Sequence, residues 1–432
     1  MQDEEGVQRG STNRSAEREL RRAGGVGPSM STVILDATPA HDLVRASTPS
    51  LLSRAAGLAP RVGDLTPAAV SAGVTAFVFY TTAGVPLLIA VAGRLGLDAV
   101  HTSSWFFIVF FSTAITSIAL SLVYRQPLPI NWSLPGLLYL GSLAGHFSFP
   151  ELIGANVMAG VVIVVVGVLG LSARLVAVLP LPIAMGMFAG SILGNLSELV
   201  IATVNDSLVA GATVGGYLLG RLVGDRRMPP VALAALCGAT AIVLAQRTAP
   251  GPPVAWTPPV VLLLPEAQFS WLAFVAVSLP LVALSVGLGN VQGLGYLLAQ
   301  GYRVPVNLVT LVVGCQSLVN ALFGGHQAMI GRGGVAILAS PEAGPLAGRY
   351  WASLIANGLL VPVAFAAAPI AAILPGVPPA YVAALAGLAI LPSFQEAVVK
   401  GLAGRLRLGA TAAFVVAATP FAVGGITSAF WA

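Results

Sequence analysis

The sequence predicts an all-α polytopic membrane protein, and three observations lead there. Of 432 residues, 56% are hydrophobic and 9% charged, with a mean hydropathy of +0.89, against roughly 25% charged residues in soluble domains. Apolar runs of about 20 residues, the length that crosses a hydrocarbon core, recur from about Pro67 to Arg247 and from Phe269 to Trp431. Lys and Arg gather at the ends of these runs and in the N-terminal stretch, where they read as topology signals. The net charge of +5 and pI near 9.6 therefore do not suggest a nucleic-acid partner. Cys237 and Cys315 each fall inside an apolar run, so neither a disulfide framework nor a metal site is expected, and no cofactor.

Residues 1–65 are polar, rich in Arg and Ser and broken by GGVGP. They read as a disordered cytoplasmic tail. No apolar core precedes a small-residue cleavage site there, which argues against a secretory signal. Met30 is an alternative start. Within a first half, 66–247, spans are expected at 67–93, 102–124, 150–172, 175–195, 198–220 and 230–246. A connecting loop at 248–268 leads to a second half, 269–432. Its spans are expected at 271–299, 304–322, 349–373, 377–398 and 405–431, the last long enough for two short helices.

Two stretches make poor continuous helices. QPLPINWSLPGLLYLGSLAG (126–145) has two early prolines that forbid helix until about Leu134,. FGGHQAMIGRGGVAILAS (323–340) holds five glycines,. Each predicts a short extended piece followed by a half-helix. Pro127 lies 60 residues after Pro67, and Gly324 lies 53 after Trp271, so the breaks fall at equivalent places in two halves. That equivalence implies an inverted repeat. Irregular backbone at membrane depth survives only when buried in protein or lining a cavity, so the breaks should mark the substrate site.

With a cytoplasmic N-terminus, one side carries Arg125, Arg174, Arg221, Arg226, Arg227, Arg303, Arg349, Lys400, Arg405 and Arg407, and the other Arg94 and Arg247. This bias fits fourteen transmembrane segments, seven per half, with the third and tenth interrupted and both termini cytoplasmic in an inner membrane.

The strings SLVYRQPLPINWSLPG (121–136), LGNVQGLGYLLAQGY (288–302), GGHQAMIGRGGVAILASPEAGP (324–345) and GITSAFWA (425–432) together resemble the benzoate/proton symporter (BenE-type) family from about Thr66 to the C-terminus. The resemblance implies the seven-plus-seven inverted-repeat fold shared with nucleobase and SulP-type transporters, with a core domain moving against a gate domain. Relatives of this fold often form homodimers. The sequence also departs from the family. Gly289 precedes Asn290 where the family usually has Gln-Asn, Gln292 stands where Pro is common, and GGHQAMIGRGG replaces an uncharged GGHTINLAA-like run. The added charge is Arg332, at a position similar to the Ser-Arg-Ser of SulP-type anion transporters.

Arg332 is the one Lys or Arg expected at membrane depth. There it needs an anionic partner or a wet cavity, and the half-helix start beside it also favours an anion. It either binds substrate, pairs permanently with a carboxylate such as Glu198 or Asp206, or reaches an interface. Asn131, Trp132 and Ser133 sit at the first break, to hold and flank a carboxylate or simply to cap the half-helix. His326 is the candidate proton-handling group, or a residue that satisfies buried carbonyls. Gln327 beside it is a candidate contact. Asn290 is preferred over Gln292 by the family match. Phe79, Tyr80, Thr81 and Thr82 offer an aromatic wall, with Tyr80 as the contact, or ordinary helix packing. Glu198, Asp206, Glu266, Glu342 and Glu396 read as solvated charges near segment ends.

No Walker loop, Cys/His cluster or intramembrane DxxxD pair occurs in the sequence, so an enzyme or ATP-driven pump is not expected. The expected activity is proton-coupled transport of a small organic anion, a benzoate-like aromatic or other carboxylate, by alternating access. A SulP-like carrier of inorganic or dicarboxylate anions and a passive anion channel are the rivals.

Overall fold

The computed structural model describes residues 60–172, 181–223, 230–245, 260–373, 376–403, 406–423 and 426–431. Residues 1–59 of the expected tail, most of the 248–268 connector, and Arg174, Arg226, Arg227, Arg247 and Arg405 of the charge pattern lie outside the described residues.

Local chemistry sets the helix starts. Helix α1 (Pro67–Arg94) opens at Thr66, whose side chain accepts the Ala69 N–H, and α2 (Ala99–Tyr124) at Asp98, which accepts from His101,. Arg125 then turns left-handed at φ 50° and ends α2. The first interrupted stretch forms strand β1 (Asn131–Trp132) and half-helix α3 (Leu134–Ser142). Ser148 and Glu151 make a reciprocal cap on α4 (Phe149–Val168),. Helices α5 (Leu181–Asn205), α6 (Val209–Val223) and α7 (Pro230–Leu244) follow.

The later part begins with α8 (Trp271–Leu298), which is π-helical over Phe274–Ser278 and Ala283–Asn290. After α9 (Val306–Leu322) come strand β2 (Ala328–Met329) and half-helix α10 (Arg332–Leu338). Helices α11 (Tyr350–Phe365), α12 (Ala367–Ile373), α13 (Pro379–Leu402) and α14 (Arg407–Ala418) lead to a hairpin, β3 (Ala422–Val423) with β4 (Ile426–Thr427), and a last turn, α15 (Ser428–Trp431). Among the described residues, six helices are long and apolar enough to cross a membrane by length and composition: α1, α2, α4, α5, α8 and α13.

Three boundaries differ from expectation, one being the span expected at 349–373, which is α11 and α12 parted at Ala366. The break expected between 195 and 198 is absent, and α5 runs on to Asn205. Nothing there breaks a helix, Ser197 Oγ donates back to the Leu193 carbonyl, and the turn comes at Asp206, whose Oδ1 accepts the Val209 N–H. The span expected at 405–431 is a helix followed by the small hairpin.

Packing falls into two neighbourhoods that meet on α1. Helix α5 packs on α13 and α14 and α6 on α7, while α4 packs on α9 and α11 on α2; α1 touches both α11 and α13. Small residues let backbones approach closely. At Gly167 of α4, for example, an added Cβ would lie 2.6 Å from the Leu311 backbone of α9. Trp105, Phe106, Phe110 and Tyr139 are fully buried in the main core, whereas Val204, Leu222 and Leu244 stand exposed as lipid-facing residues would.

The interrupted stretches cross near the centre of this packing. β1 and β2 pair antiparallel, Asn131 with Met329 and Trp132 with Ala328. A two-residue ladder leaves many amides and carbonyls open, and neighbouring helices supply the missing partners. Ser117 Oγ of α2 accepts the Ile130 N–H at 2.9 Å, and Ser317 Oγ of α9 accepts the Ala328 N–H at 2.9 Å. Ser285 Oγ of α8 donates to the Ala328 carbonyl at 2.5 Å. Pro280 of α8 has no N–H for the Ala276 carbonyl four residues back, and the Tyr139 hydroxyl of α3 donates to it instead, at 2.5 Å.

Candidate functional site

A cavity of about 330 Å³ lies where the two interrupted stretches meet α1, α5, α8 and α13. That volume is at the small end of ligand pockets, which run from about 300 to 1,000 Å³. Leu134 and Pro135 open α3 on one side, and Gly331, Arg332, Gly333 and Gly334 open α10 on the other. Both half-helix starts therefore border one space, and their dipoles favour an anion there, although at α3 Pro135 has no N–H and the Ser133 side chain already takes that of Gly136.

The walls are largely apolar and aromatic. Trp132 stacks on Phe110, with ring centroids 4.6 Å apart, and meets Tyr80 edge-on at 5.8 Å. Its ring lies so close to Gly84 that any Cβ at that position would collide with it. Phe79 and Phe188 continue the aromatic lining, and Met185, Met329 and Ile337 supply the aliphatic part. Met329 occupies the room that a side chain at Gly289 would take, so the cavity has a thioether beside the position where the resembled family usually carries Gln.

Polar groups are few. Tyr80 and Asn131 are 3% and 6% exposed, and neither the Tyr80 hydroxyl nor Asn131 Oδ1 has a hydrogen-bond partner. Buried polar atoms in native proteins are nearly always satisfied; the Asn131 side chain lies near enough to act on the Tyr80 hydroxyl, and together they offer a ligand a hydroxyl donor and an amide. Among the described residues lining the cavity, the charged ones are Arg332 and Glu396. Arg332 Nη1 donates to Glu396 Oε1, and Lys400 Nζ reaches the same oxygen at 2.5 Å.

The structure thus brings Tyr80, Asn131, Trp132 and Arg332 together and directs the other candidates elsewhere. Ser133 caps α3, its Oγ accepting the Gly136 N–H at 3.1 Å and its own N–H donating to the Gln327 carbonyl at 2.7 Å. Asn290 does not line the cavity, because its Oδ1 accepts the Ile330 N–H that the end of β2 leaves open, at 2.9 Å. Gln292, the less favoured of that pair, does line it. Gln327 points to α4, where its Nε2 donates to Asn156 Oδ1 at 2.6 Å. His326 is fully buried away from the cavity, its Nδ1 accepting the Trp105 indole N–H at 2.9 Å.

Two readings of acidic residues are corrected. The partner of Arg332 is Glu396, not Glu198 or Asp206; Glu198 pairs with Arg94 instead. Glu396 is no solvated charge near a segment end, since it lies inside α13 and faces the cavity. The sequence held a signal for it, a Glu four residues before a Lys in an apolar helix. Nothing local said which helix Arg332 would meet.

The family model described as "Benzoate membrane transport protein" matches residues 63–432. Among curated proteins, the chain is 27% identical over 377 residues to the inner membrane protein YdcO of Escherichia coli (strain K12), covering 86% of this chain and 94% of that one. It is 28% identical over 286 residues to the benzoate membrane transport protein of Acinetobacter baylyi, covering 66% of this chain and 72% of the other. Two solved structures share its fold, each with a TM-score of 0.56. One is the transmembrane domain of the cyanobacterial bicarbonate transporter BicA, at 18% identity over 81% of this chain and 94% of that one. The other is the murine anion transporter Slc26a9 in its inward-facing state, at 14% identity over 90% and 71%.

Proposed function

The chain belongs to the BenE benzoate membrane transport family, and from that premise we propose that it is a secondary active transporter taking up a small organic anion, an aromatic monocarboxylate such as benzoate, together with protons. The observation that carries the proposal is the cavity itself. An aromatic wall of Phe79, Tyr80, Trp132 and Phe188 borders the same cavity as a guanidinium and two half-helix starts, which complements a flat ring bearing one carboxylate.

In this reading Arg332 holds the carboxylate, the Tyr80 hydroxyl and the Asn131 amide nitrogen donate to it, and Trp132 and Phe79 flank the ring. The protein spans the inner membrane as fourteen segments in two inverted repeats, 66–247 and 269–432, with its termini in the cytoplasm. The neighbourhood of α5, α6, α7, α13 and α14 is the gate, and it rocks against the rest. The coupling ion is the proton, and His326 on the second interrupted stretch is the group assigned to it. A homodimer is the proposed assembly.

A second reading has a specific observation behind it. Arg332 at a half-helix start, together with a fold shared by a bicarbonate transporter and an anion transporter, suits a small inorganic anion. Uptake into proteoliposomes decides between the two, using labelled benzoate, bicarbonate, sulfate and dicarboxylates with and without an inward proton gradient. Saturable benzoate accumulation driven by the gradient is expected. Accumulation of an inorganic anion alone would replace the first reading with the second, and non-saturating flux that only follows the anion's own gradient would make the protein a channel.

A further inference from the structure

Glu396 is a carboxylate already resident where the proposed substrate's carboxylate would go. It lies on α13, in the cavity wall, and one of its oxygens, Oε1, is shared by Arg332 of α10 and by Lys400 four residues along α13. Two cations and one anion leave the cluster with one net positive charge. The three side chains are 41%, 33% and 33% exposed for Arg332, Glu396 and Lys400, so none is locked into the core and each is able to change partner.

We propose that Glu396 sets the charge the cavity accepts, by a partner exchange that balances only for a monoanion. This rests on the reading of the cavity as the anion site. When a carboxylate enters, Arg332 releases Glu396 and takes the incoming group, while Glu396 remains on Lys400 as an i,i+4 pair of one helix. Every charge then has a partner and the cluster is neutral. A dianion leaves one negative charge without a counter-ion in a half-enclosed, largely apolar cavity, which is unfavourable,. A neutral isostere gains no ion pair to offset the loss of the Arg332–Glu396 contact. Glu396 is thus a specificity-determining residue that acts through Arg332.

The test measures equilibrium binding to the full-length protein in detergent, with no gradient, at a fixed, mildly alkaline pH where phthalate is a dianion. The probes are benzoate, phthalate and benzamide. The parent protein should prefer benzoate to both others. Glu396→Gln leaves two positive charges, and the phthalate-to-benzoate affinity ratio should rise by about tenfold, the scale of one partly screened charge interaction. Glu396→Gln with Lys400→Gln restores a single positive charge and should bring the ratio back to about that of the parent. Lys400→Gln alone has no net charge, and should bind benzoate about tenfold more weakly with benzamide little changed.

An unchanged ratio in Glu396→Gln would overturn the proposal. If that variant does not fold, Lys400→Gln serves, and undiminished benzoate binding there overturns it equally. Arg332→Gln separates this from the underlying reading. Loss of the benzoate-over-benzamide preference in Arg332→Gln, beside an unchanged ratio in Glu396→Gln, keeps the anion site and removes the partner exchange. Retention of that preference in Arg332→Gln makes Arg332 a structural charge, leaves the half-helix starts to hold the substrate, and removes the partner exchange with it.

Discussion

Arg332 lies in an interrupted segment of a transmembrane protein, where an unpaired guanidinium costs about 2.5–3.5 kcal/mol on insertion scales. Glu396 offsets part of that cost, and the shared oxygen keeps the cation in place until something replaces the carboxylate. A lysine at this position has the charge without the planar fork that grips two oxygens. Arg332→Lys should therefore bind benzoate more weakly by roughly tenfold, the worth of one hydrogen bond to a charged group. Unaltered affinity in a titration of the purified variant would mean that the fork is not used. Tyr80 makes the complementary case, since Asn131 is the one protein side chain near enough to act on its hydroxyl among the described residues, and no well-formed hydrogen bond holds it. Tyr80→Phe should leave the thermal midpoint unchanged or slightly raised. Its benzoate affinity should fall about three- to tenfold, because the well-formed bond to lose is the one to substrate. A lowered midpoint with unchanged affinity would show the hydroxyl to be structural.

At the scale of elements, the decisive feature is how an interrupted segment is held without strands long enough to hold themselves. β1 and β2 are two residues each, and most of their stability comes from side chains of α2, α8 and α9 and from close backbone contact. Gly293 of α8 lies directly against the Ile330 carbonyl, and a Cβ there has no room. Because the obstacle is backbone and not a mobile side chain, Gly293→Ala should destabilise by about 1–3 kcal/mol or more. Differential scanning fluorimetry should show a clear fall in thermal midpoint. Gly358 of α11 is the control, as nothing lies within 4 Å of an added Cβ. Gly358→Ala should be neutral or stabilising by up to about 1 kcal/mol through helix propensity. Equal effects at the two glycines would show that the contact between α8 and the second break does not constrain the fold.

For the whole molecule, Arg332 of α10 and Glu396 of α13 join two packing neighbourhoods across the cavity. If substrate takes Arg332 from Glu396 as proposed, that link loosens, and the anion's differential contacts would favour one arrangement over the other. Proton coupling belongs to the same scale. His326 Nδ1 accepts the Trp105 N–H, so the neutral ring carries its proton on Nε2, and a second proton would break that bond. Uptake by proteoliposomes should accelerate with an inward proton gradient, and His326→Ala should weaken the dependence. If accumulation persists when the gradient is collapsed, proton symport is wrong.

Much of this was legible in the sequence because it is locally encoded. The length of the apolar runs fixed the class, and proline or glycine density located both breaks and left Arg332 beside the second. The choice among equally polar neighbours was not local. Asn290, Ser133 and Gln327 looked as suited to a ligand as Asn131, yet each is engaged by backbone or side chain of the protein itself. Which polar group is taken in this way depends on what the fold brings beside it. Asn290 and Ile330 are 40 residues apart, and Arg332 and Glu396 are 64. Spacing along the chain determined where backbone would be left unsatisfied at membrane depth; only tertiary packing decided which side chains would satisfy it and which would remain for a substrate.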